Sequence, residues 1–204
     1  ANSIVRLSDK PNLFRIVSNA DKVTAAVAYF WFSELYNRIP YDRVNDREVD
    51  DPILPIQHGR FYTDDEYPDA ELFASAGMLV RRFSPDYLLV HPMGMDYTGE
   101  TFGADSSQYR NHAIQQDMWL APLLLEWMGL GYNILVTGDH GINRDGAHGG
   151  PAPDQREVPL YLILPDHAGQ GDTGQIVSHL RIAPTILKLL SLPIPGTMKQ
   201  PPLI

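Results

Sequence analysis

Residues 86–103 (DYLLVHPMGMDYTGETFG) and 133–141 (NILVTGDHG) each begin with a short apolar run and continue into glycine and acidic or histidine residues. Apolar runs of this length predict strands that are buried on both faces. Two more runs, at residues 22–30 (KVTAAVAYF) and 158–164 (VPLYLIL), have the same character. The sequence therefore predicts a sheet of buried strands, and the two quoted stretches place polar residues directly after their strands.

Segments with helical spacing alternate with these strands. Apolar side chains recur every three or four positions over residues 69–83 and 181–192, and residues 12–20 predict a short helix after Pro11. Residues 105–130 predict one long helix or a helix kinked near Pro122. Alternating strands and helices predict an α/β fold, with a mostly parallel sheet and helices on both faces.

The length of 204 residues and the apolar fraction of 44% predict a single α/β domain over residues 1–204. Residues 40–71 interrupt the alternation, because they contain ten acidic residues, three arginines and four prolines. We interpret this segment as an acidic surface insertion. It is either a solvated loop or a lid over a site, since long loops within compact domains are often functional.

Charge and composition exclude several classes of protein. The net charge of −9 does not provide the basic surface that general binding to a nucleic-acid backbone needs. The absence of cysteine excludes disulfides, thiolate metal sites and cysteine nucleophiles, so a metal site must use histidine and carboxylate. The longest apolar run, residues 118–130, is too short to span a bilayer. With no signal-like segment, we expect no membrane association and a cytoplasmic location.

Candidate metal ligands follow the two quoted strands. In open α/β sheets, ligands bind beyond the carboxyl ends of the strands, so the side chains that follow residues 86–90 and 133–137 should converge. Carboxylate oxygens and imidazole nitrogens are the ligands that Zn²⁺, Mn²⁺ and Fe²⁺ take in proteins. The candidates are Asp96, Glu100, Asp139, His140 and His148.

Five motifs in order give these candidates a family context. They are DYTGETFGADS (96–106), TGDHG (137–141), HGG (148–150), EVPL (157–160), and IAPTIL (182–187) with LPIP (192–195). The series resembles the alkaline phosphatase superfamily, and within it the type I phosphodiesterase/nucleotide pyrophosphatase family. The resemblance implies a hydrolase of phosphodiester or nucleotide pyrophosphate bonds, acting on a small phosphoester or nucleotide substrate.

The resemblance also implies two divalent metal ions, Zn²⁺ or Mn²⁺. Asp139 and His140 match ligands of one ion, and Asp96 and His148 match ligands of the other. Glu100 stands where the family pattern usually has histidine. A carboxylate at this position favours harder ions such as Mn²⁺ or Mg²⁺ over Zn²⁺.

One part of the family pattern has no match in this sequence. The family's first strand carries an aspartate ligand, and a threonine or serine nucleophile follows it at the start of a helix. The resemblance therefore implies that the chain corresponds to the C-terminal part of a catalytic domain, without the N-terminal strand and the nucleophile helix. We then expect the fragment to be nearly inactive, with its nucleophile upstream.

Two alternative functions remain open at this stage. The same scaffold supports a phosphomonoesterase or a phosphomutase, because metal ligands do not determine the leaving group. A metal-binding module without turnover is the other alternative. Oligomeric state is also open. Among the remaining side chains, His91 could contact substrate or be structural, and Glu157 could orient His148 or form a salt bridge at a strand edge. His58, His112, His167 and His179 default to surface or internally satisfied positions.

Overall fold

The computed structural model describes residues 6–204, which form two compact units. The first unit contains the residues up to Thr63, together with Ser75–His91 and Asp172–Ile204. The second unit contains Asp64–Ala74 and Pro92–Gly171. The five candidate metal ligands all lie in the second unit. The prediction of one domain over residues 1–204 stays a prediction.

The first unit is built on a four-stranded sheet. Its strands are β1 (Thr24–Tyr29), β2 (Glu48–Asp50), β3 (His58–Tyr62) and β4 (Tyr87–Val90), in the order β2-β3-β1-β4. Strand β1 pairs in parallel with β3 and β4, and β2 pairs antiparallel with β3. The helices that begin and end within this unit are α1 (Leu13–Ser18), α2 (Trp31–Tyr36) and α7 (Ile182–Leu189). The predicted α/β fold with a mostly parallel sheet is confirmed.

The core of this unit forms around β1, whose six residues are all buried. Ala26 and Ala28 pack with Phe14, Ile56 and Phe61 in one apolar cluster. A strand buried throughout reads as a continuous run of apolar and small residues, which is why the sequence predicted β1 correctly.

The expectation of a surface insertion over residues 40–71 is wrong for a large part of that segment. It contains β2 and β3, and it places Val49, Ile56, Phe61 and Tyr62 in buried positions. These strands are short and lie among prolines and acidic residues, so no period of two extends far enough to be recognised. A lid role for the acidic loops stays a prediction.

The second unit contains α4 (Gly94–Phe102), α5 (Ser107–Gly129), β5 (Ile134–Thr137), α6 (Pro153–Arg156) and β6 (Leu160–Ile163). Helix α5 continues through Pro122, and the Ser106 hydroxyl caps it by accepting from the Tyr109 amide at 3.1 Å. Helix α3 (Asp69–Phe83) has the predicted bounds. Of the helices that the structure describes in residues 6–204, none combines the length and the apolarity that crossing a bilayer requires.

Strands β5 and β6 form a separate antiparallel pair, whereas the sequence predicted one sheet of parallel strands. A parallel connection needs a long crossover, usually a helix. The described segment between β5 and β6 is rich in glycine and proline, and it contains one helix, the four-residue α6. The chain returns beside β5 in the opposite direction.

Candidate metal centre

Helix α4 carries two of the predicted ligands on one face. Asp96 lies in its first turn and Glu100 lies four residues later, a spacing that places both side chains on the same side of a helix. The partial positive charge of a helix N-terminus favours a carboxylate in this turn. The sequence does not predict this helix, because glycines and several polar residues interrupt the helical period of apolar residues.

The other three predicted ligands lie in the loop of residues 138–150, which packs on the C-terminal end of α4. The Ala104 amide donates to the Asn143 carbonyl at 3.1 Å. Gly146 has a φ of +79°, and a Cβ there would lie 2.6 Å from the Glu100 carbonyl oxygen. The Asn143 side chain accepts from the amides of Asp145 and Ala147, at 3.0 and 2.8 Å. Side-chain and main-chain contacts together fix this loop against the helix.

Asp96, His140 and His148 converge at this junction. One possible ligand atom from each lies within 4.8 Å of the others. The two imidazole rings stack with their centroids 4.3 Å apart and their planes 13° from parallel. The Oδ1 atom of Asp96 lies 3.7 Å from Nε2 of His140. We call these three residues the Asp96 cluster.

The two remaining predicted ligands adjoin the Asp96 cluster. Oε1 of Glu100 lies 2.8 Å from Nε2 of His148, a hydrogen-bonding distance. Oδ1 of Asp139 accepts from the His140 amide at 3.0 Å, and its Oδ2 lies 3.7 Å from Nε2 of His140. The structure thus brings all five residues to one place. Their division between two ions, as the resemblance implies it, stays a prediction.

The environment of Asp96 fits a cation. Burial raises the pKa of Asp96 above its usual value, and the negative charge of Glu100 raises it further. Its Oδ1 is buried and has no hydrogen-bond partner among the described residues. A buried polar atom without a partner is costly and rare in folded proteins. A divalent ion held by carboxylate and imidazole would satisfy this oxygen, and the donor set suits Zn²⁺, Mn²⁺ or Fe²⁺.

The structure also places two residues whose roles were left open. The carboxylate that contacts His148 is that of Glu100, not that of Glu157. His91 lies in the first unit, where its ring is 5.1 Å from that of Phe32 and its carbonyl accepts from the Tyr62 hydroxyl. His58 and His112 are internally paired, with Asp50 and Asp69 respectively.

The raised pKa of Asp96 predicts a pH-dependent effect of Asp96→Asn on the metal-free protein. A carboxyl with a raised pKa binds its proton more tightly in the folded state, so wild-type stability decreases as the pH rises through that pKa. Asparagine does not titrate. We therefore expect the Tm of Asp96→Asn, relative to wild type, to be higher at about pH 8 than at about pH 4.

Calorimetry in the presence of a chelator measures this difference. Asp105→Asn, at an exposed carboxylate of the same unit, is the matched control. A Tm difference for Asp96→Asn that is the same at both pH values would contradict the prediction.

Comparison with known proteins gives this geometry its context. Residues 7–147 match the family model described as type I phosphodiesterase / nucleotide pyrophosphatase. The chain belongs to this family. The resemblance drawn from the motifs is confirmed, and the α/β structure with its mostly parallel sheet is consistent with an alkaline-phosphatase-like fold.

Three relatives show the range of proteins to which the chain is similar. It is 29% identical over 121 residues to GPI ethanolamine phosphate transferase 2 of Candida albicans, covering 54% of the chain and 14% of that protein. It is 27% identical over 113 residues to the catalytic subunit of human GPI ethanolamine phosphate transferase 3, covering 54% of the chain and 10% of that protein. It is 31% identical over 183 residues to the 2,3-bisphosphoglycerate-independent phosphoglycerate mutase of Haloquadratum walsbyi, covering 84% of the chain and 36% of that protein.

The chain thus aligns with a minor part of each of these relatives. Their names describe transferases and a mutase, whereas the family description names a phosphodiesterase and a pyrophosphatase. All of them concern phosphate esters or anhydrides. The comparisons therefore support a scaffold for phosphoester chemistry, and they do not distinguish hydrolysis from group transfer.

Proposed function

We propose that this chain provides the metal-binding part of an enzyme that hydrolyses phosphodiester or nucleotide pyrophosphate bonds. One observation carries the proposal: the carboxylate of Asp96, whose Oδ1 is buried and has no hydrogen-bond partner within residues 6–204, converges with two imidazoles in a member of a phosphodiesterase family. Asp96, His140 and His148 would hold a divalent ion, and Asp139 and Glu100 would complete its surroundings or bind a second ion.

Charge makes a cation necessary for this function. Three carboxylates, those of Asp96, Glu100 and Asp139, lie in or beside the Asp96 cluster. They would repel an anionic phosphoester at close range. When bound, a divalent ion supplies the positive charge that attracts and stabilises phosphate oxygens.

The protein's own groups can prepare the imidazoles for this role. Glu100 accepts a hydrogen bond from Nε2 of His148, which fixes the ring and the position of its proton. The carbonyl of Gly141 lies 3.3 Å from Nδ1 of His140, and a hydrogen bond there would leave Nε2 of His140 free of its proton. That Nε2 is the atom 3.7 Å from Asp96.

A nucleophile is not assigned within the described residues. The hydroxyls of Thr101, Ser106 and Thr137, which lie close in sequence to the predicted ligands, donate to main-chain carbonyls at 2.7, 2.7 and 2.9 Å. Hydroxyls engaged in this way are poorly placed to attack phosphorus. This supports the expectation that turnover by these 204 residues is slow.

Transfer of a phosphoryl group, or of a phosphoryl group that carries one ester substituent, to an alcohol is the second candidate function. The names of the relatives favour it, because they are transferases and a mutase. Both candidates need the same ion site and differ only in whether water or an alcohol accepts the group. Mass spectrometry of the products formed from bis-p-nitrophenyl phosphate in glycerol distinguishes them.

Binding of inorganic phosphate tests the proposal without requiring turnover. We expect isothermal titration calorimetry to show saturable binding of Mn²⁺ or Zn²⁺, and phosphate binding only to the metal-loaded protein. Asp96→Asn should abolish both effects, while Asp105→Asn should preserve them. Absence of metal binding, or equal phosphate binding in the presence of a chelator, would refute the proposal.

A further inference from the structure

A second buried carboxylate lies at the start of α3, away from the predicted ligands in sequence. The Asp69 side chain is 0% exposed. Its Oδ2 is 2.7 Å from Nε2 of His112 and accepts from Nε2 of Gln116 at 2.6 Å. His112 and Gln116 are four residues apart on α5, so both project from the same face of that helix. We call these three residues the Asp69 network.

The Asp69 network lies directly against the first residue of α4. Gly94 is buried, and a Cβ there would approach both Asp69 Oδ2 and His112 Nε2 more closely than real Cβ atoms ever do. Only glycine therefore allows the backbone to pass this close to the carboxylate. Asp96 follows two residues later, in the same helical turn.

We infer that Asp69 is a positioning residue that, through His112 and Gln116, fixes the first turn of α4 and thereby the carboxylate of Asp96. This inference rests on the proposed function, because Asp96 is the proposed metal ligand. The network joins the beginning of α3, the beginning of α4 and one face of α5, all within the second unit.

The energetics of the network favour a directional role over simple packing. The Oδ1 atom of Asp69 is buried without a hydrogen-bond partner among the described residues. A buried carboxylate with one unsatisfied oxygen is a costly way to join helices, and apolar side chains would do so at lower cost. Hydrogen bonds are directional, so the two that Asp69 accepts fix the distances between backbones more closely than apolar contacts would.

The test compares four full-length variants of this chain. Asp69→Ala removes the acceptor, and Gly94→Ala inserts a methyl group against the carboxylate and must displace it while removing no polar group. Asp69→Asn is the conservative variant, because its amide oxygen can still accept from both donors. Thr24→Val is the matched control, since it removes two partly buried hydrogen bonds, to Pro55 and from Gln57, in the first unit.

Hydrogen exchange of the metal-free proteins is the first measurement. We expect exchange of the amides in residues 94–102 to rise about tenfold in Asp69→Ala and Gly94→Ala, with α7 unchanged. Asp69→Asn and Thr24→Val should leave residues 94–102 close to wild type. The second measurement is the Kd for Mn²⁺. It should rise by about 10-fold in Asp69→Ala and Gly94→Ala only, which is the lower end of the effect expected for groups that orient metal ligands.

Each outcome decides the inference. If exchange in residues 94–102 is unchanged in both disruptive variants, or rises equally in Thr24→Val, the network has no specific effect on α4 and the inference is wrong. If Asp69→Ala does not fold, Gly94→Ala supplies the comparison. If wild type binds no Mn²⁺, the proposed function fails, while the exchange measurement on the metal-free protein still decides the role of Asp69.

Discussion

His140→Ala is expected to reduce the affinity of this protein for Mn²⁺ and Zn²⁺ by at least about 100-fold. Replacing a group that only orients a ligand typically reduces metal affinity by about 10- to 100-fold, and the loss of a ligand should exceed that. His140 is the member of the Asp96 cluster whose Nε2 lies 3.7 Å from both Asp96 and Asp139. Its loss would leave those carboxylates without the imidazole nitrogen that lies close to both. Isothermal titration calorimetry at pH 7.5 to 8 measures the change.

His167→Ala is the control for this measurement. His167 is exposed in the same unit, so its replacement should leave the Kd within about twofold of wild type, the scatter usual for surface substitutions. Circular dichroism should show that His140→Ala remains folded, because the side chain is partly exposed and belongs to a loop that main-chain contacts hold in place. A wild-type Kd in His140→Ala would remove this residue from the metal centre.

Glu100→Ala is expected to weaken metal binding by about 10- to 100-fold, because its carboxylate lies 2.8 Å from Nε2 of His148. Two mechanisms produce this loss. Glu100 either orients the His148 ring or contributes its charge directly to an ion. Glu100→Gln separates them, since glutamine can still accept from His148 but carries no charge.

The comparison of the glutamine and histidine variants gives the decisive result. If Glu100 orients His148, Glu100→Gln should bind Mn²⁺ nearly as well as wild type. If Glu100 is a ligand, Glu100→Gln should lose as much affinity as Glu100→Ala, and Glu100→His should shift the preference from Mn²⁺ towards Zn²⁺. Metal-binding curves for all three variants that superimpose on wild type would exclude both roles.

Part of the fold could be predicted because β1 is buried throughout and α3 has a regular helical spacing of apolar residues. Strand β1 and helix α3 carry long, regular apolar patterns, and both were placed within two residues of their observed bounds. Strands β2 and β3 were missed, because short strands among prolines and acidic residues depend on pairing that local sequence does not show. The antiparallel pairing of β5 with β6 was missed for the same reason.

The sequence predicted which side chains converge, but not the elements that bring them together. Asp96, His140 and His148 converge as expected, but they do so through a helix and a loop, not through neighbouring parallel strands. The sequence does not predict the role of Asp69, because an aspartate at the start of a helix is common and nothing in the sequence connects it with His112. Only the fold brings these residues together, 43 positions apart.

The contacts between α4 and the loop of residues 138–150 also have a consequence for conformational entropy. The entropy lost when the ligands are brought together is lost during folding, and not during the binding of an ion. Asp96 and His148 are about fifty residues apart, and closing a flexible loop of that length costs about 3–4 kcal/mol. Here the main chain already closes it, through the Ala104 amide and the close approach of Gly146 to Glu100. If the proposed ion binds here, it would meet ligands that folding has already brought together, and its departure would not require the loop to open. Ion exchange at this centre should then be limited by the dehydration of the ion and not by rearrangement of the chain.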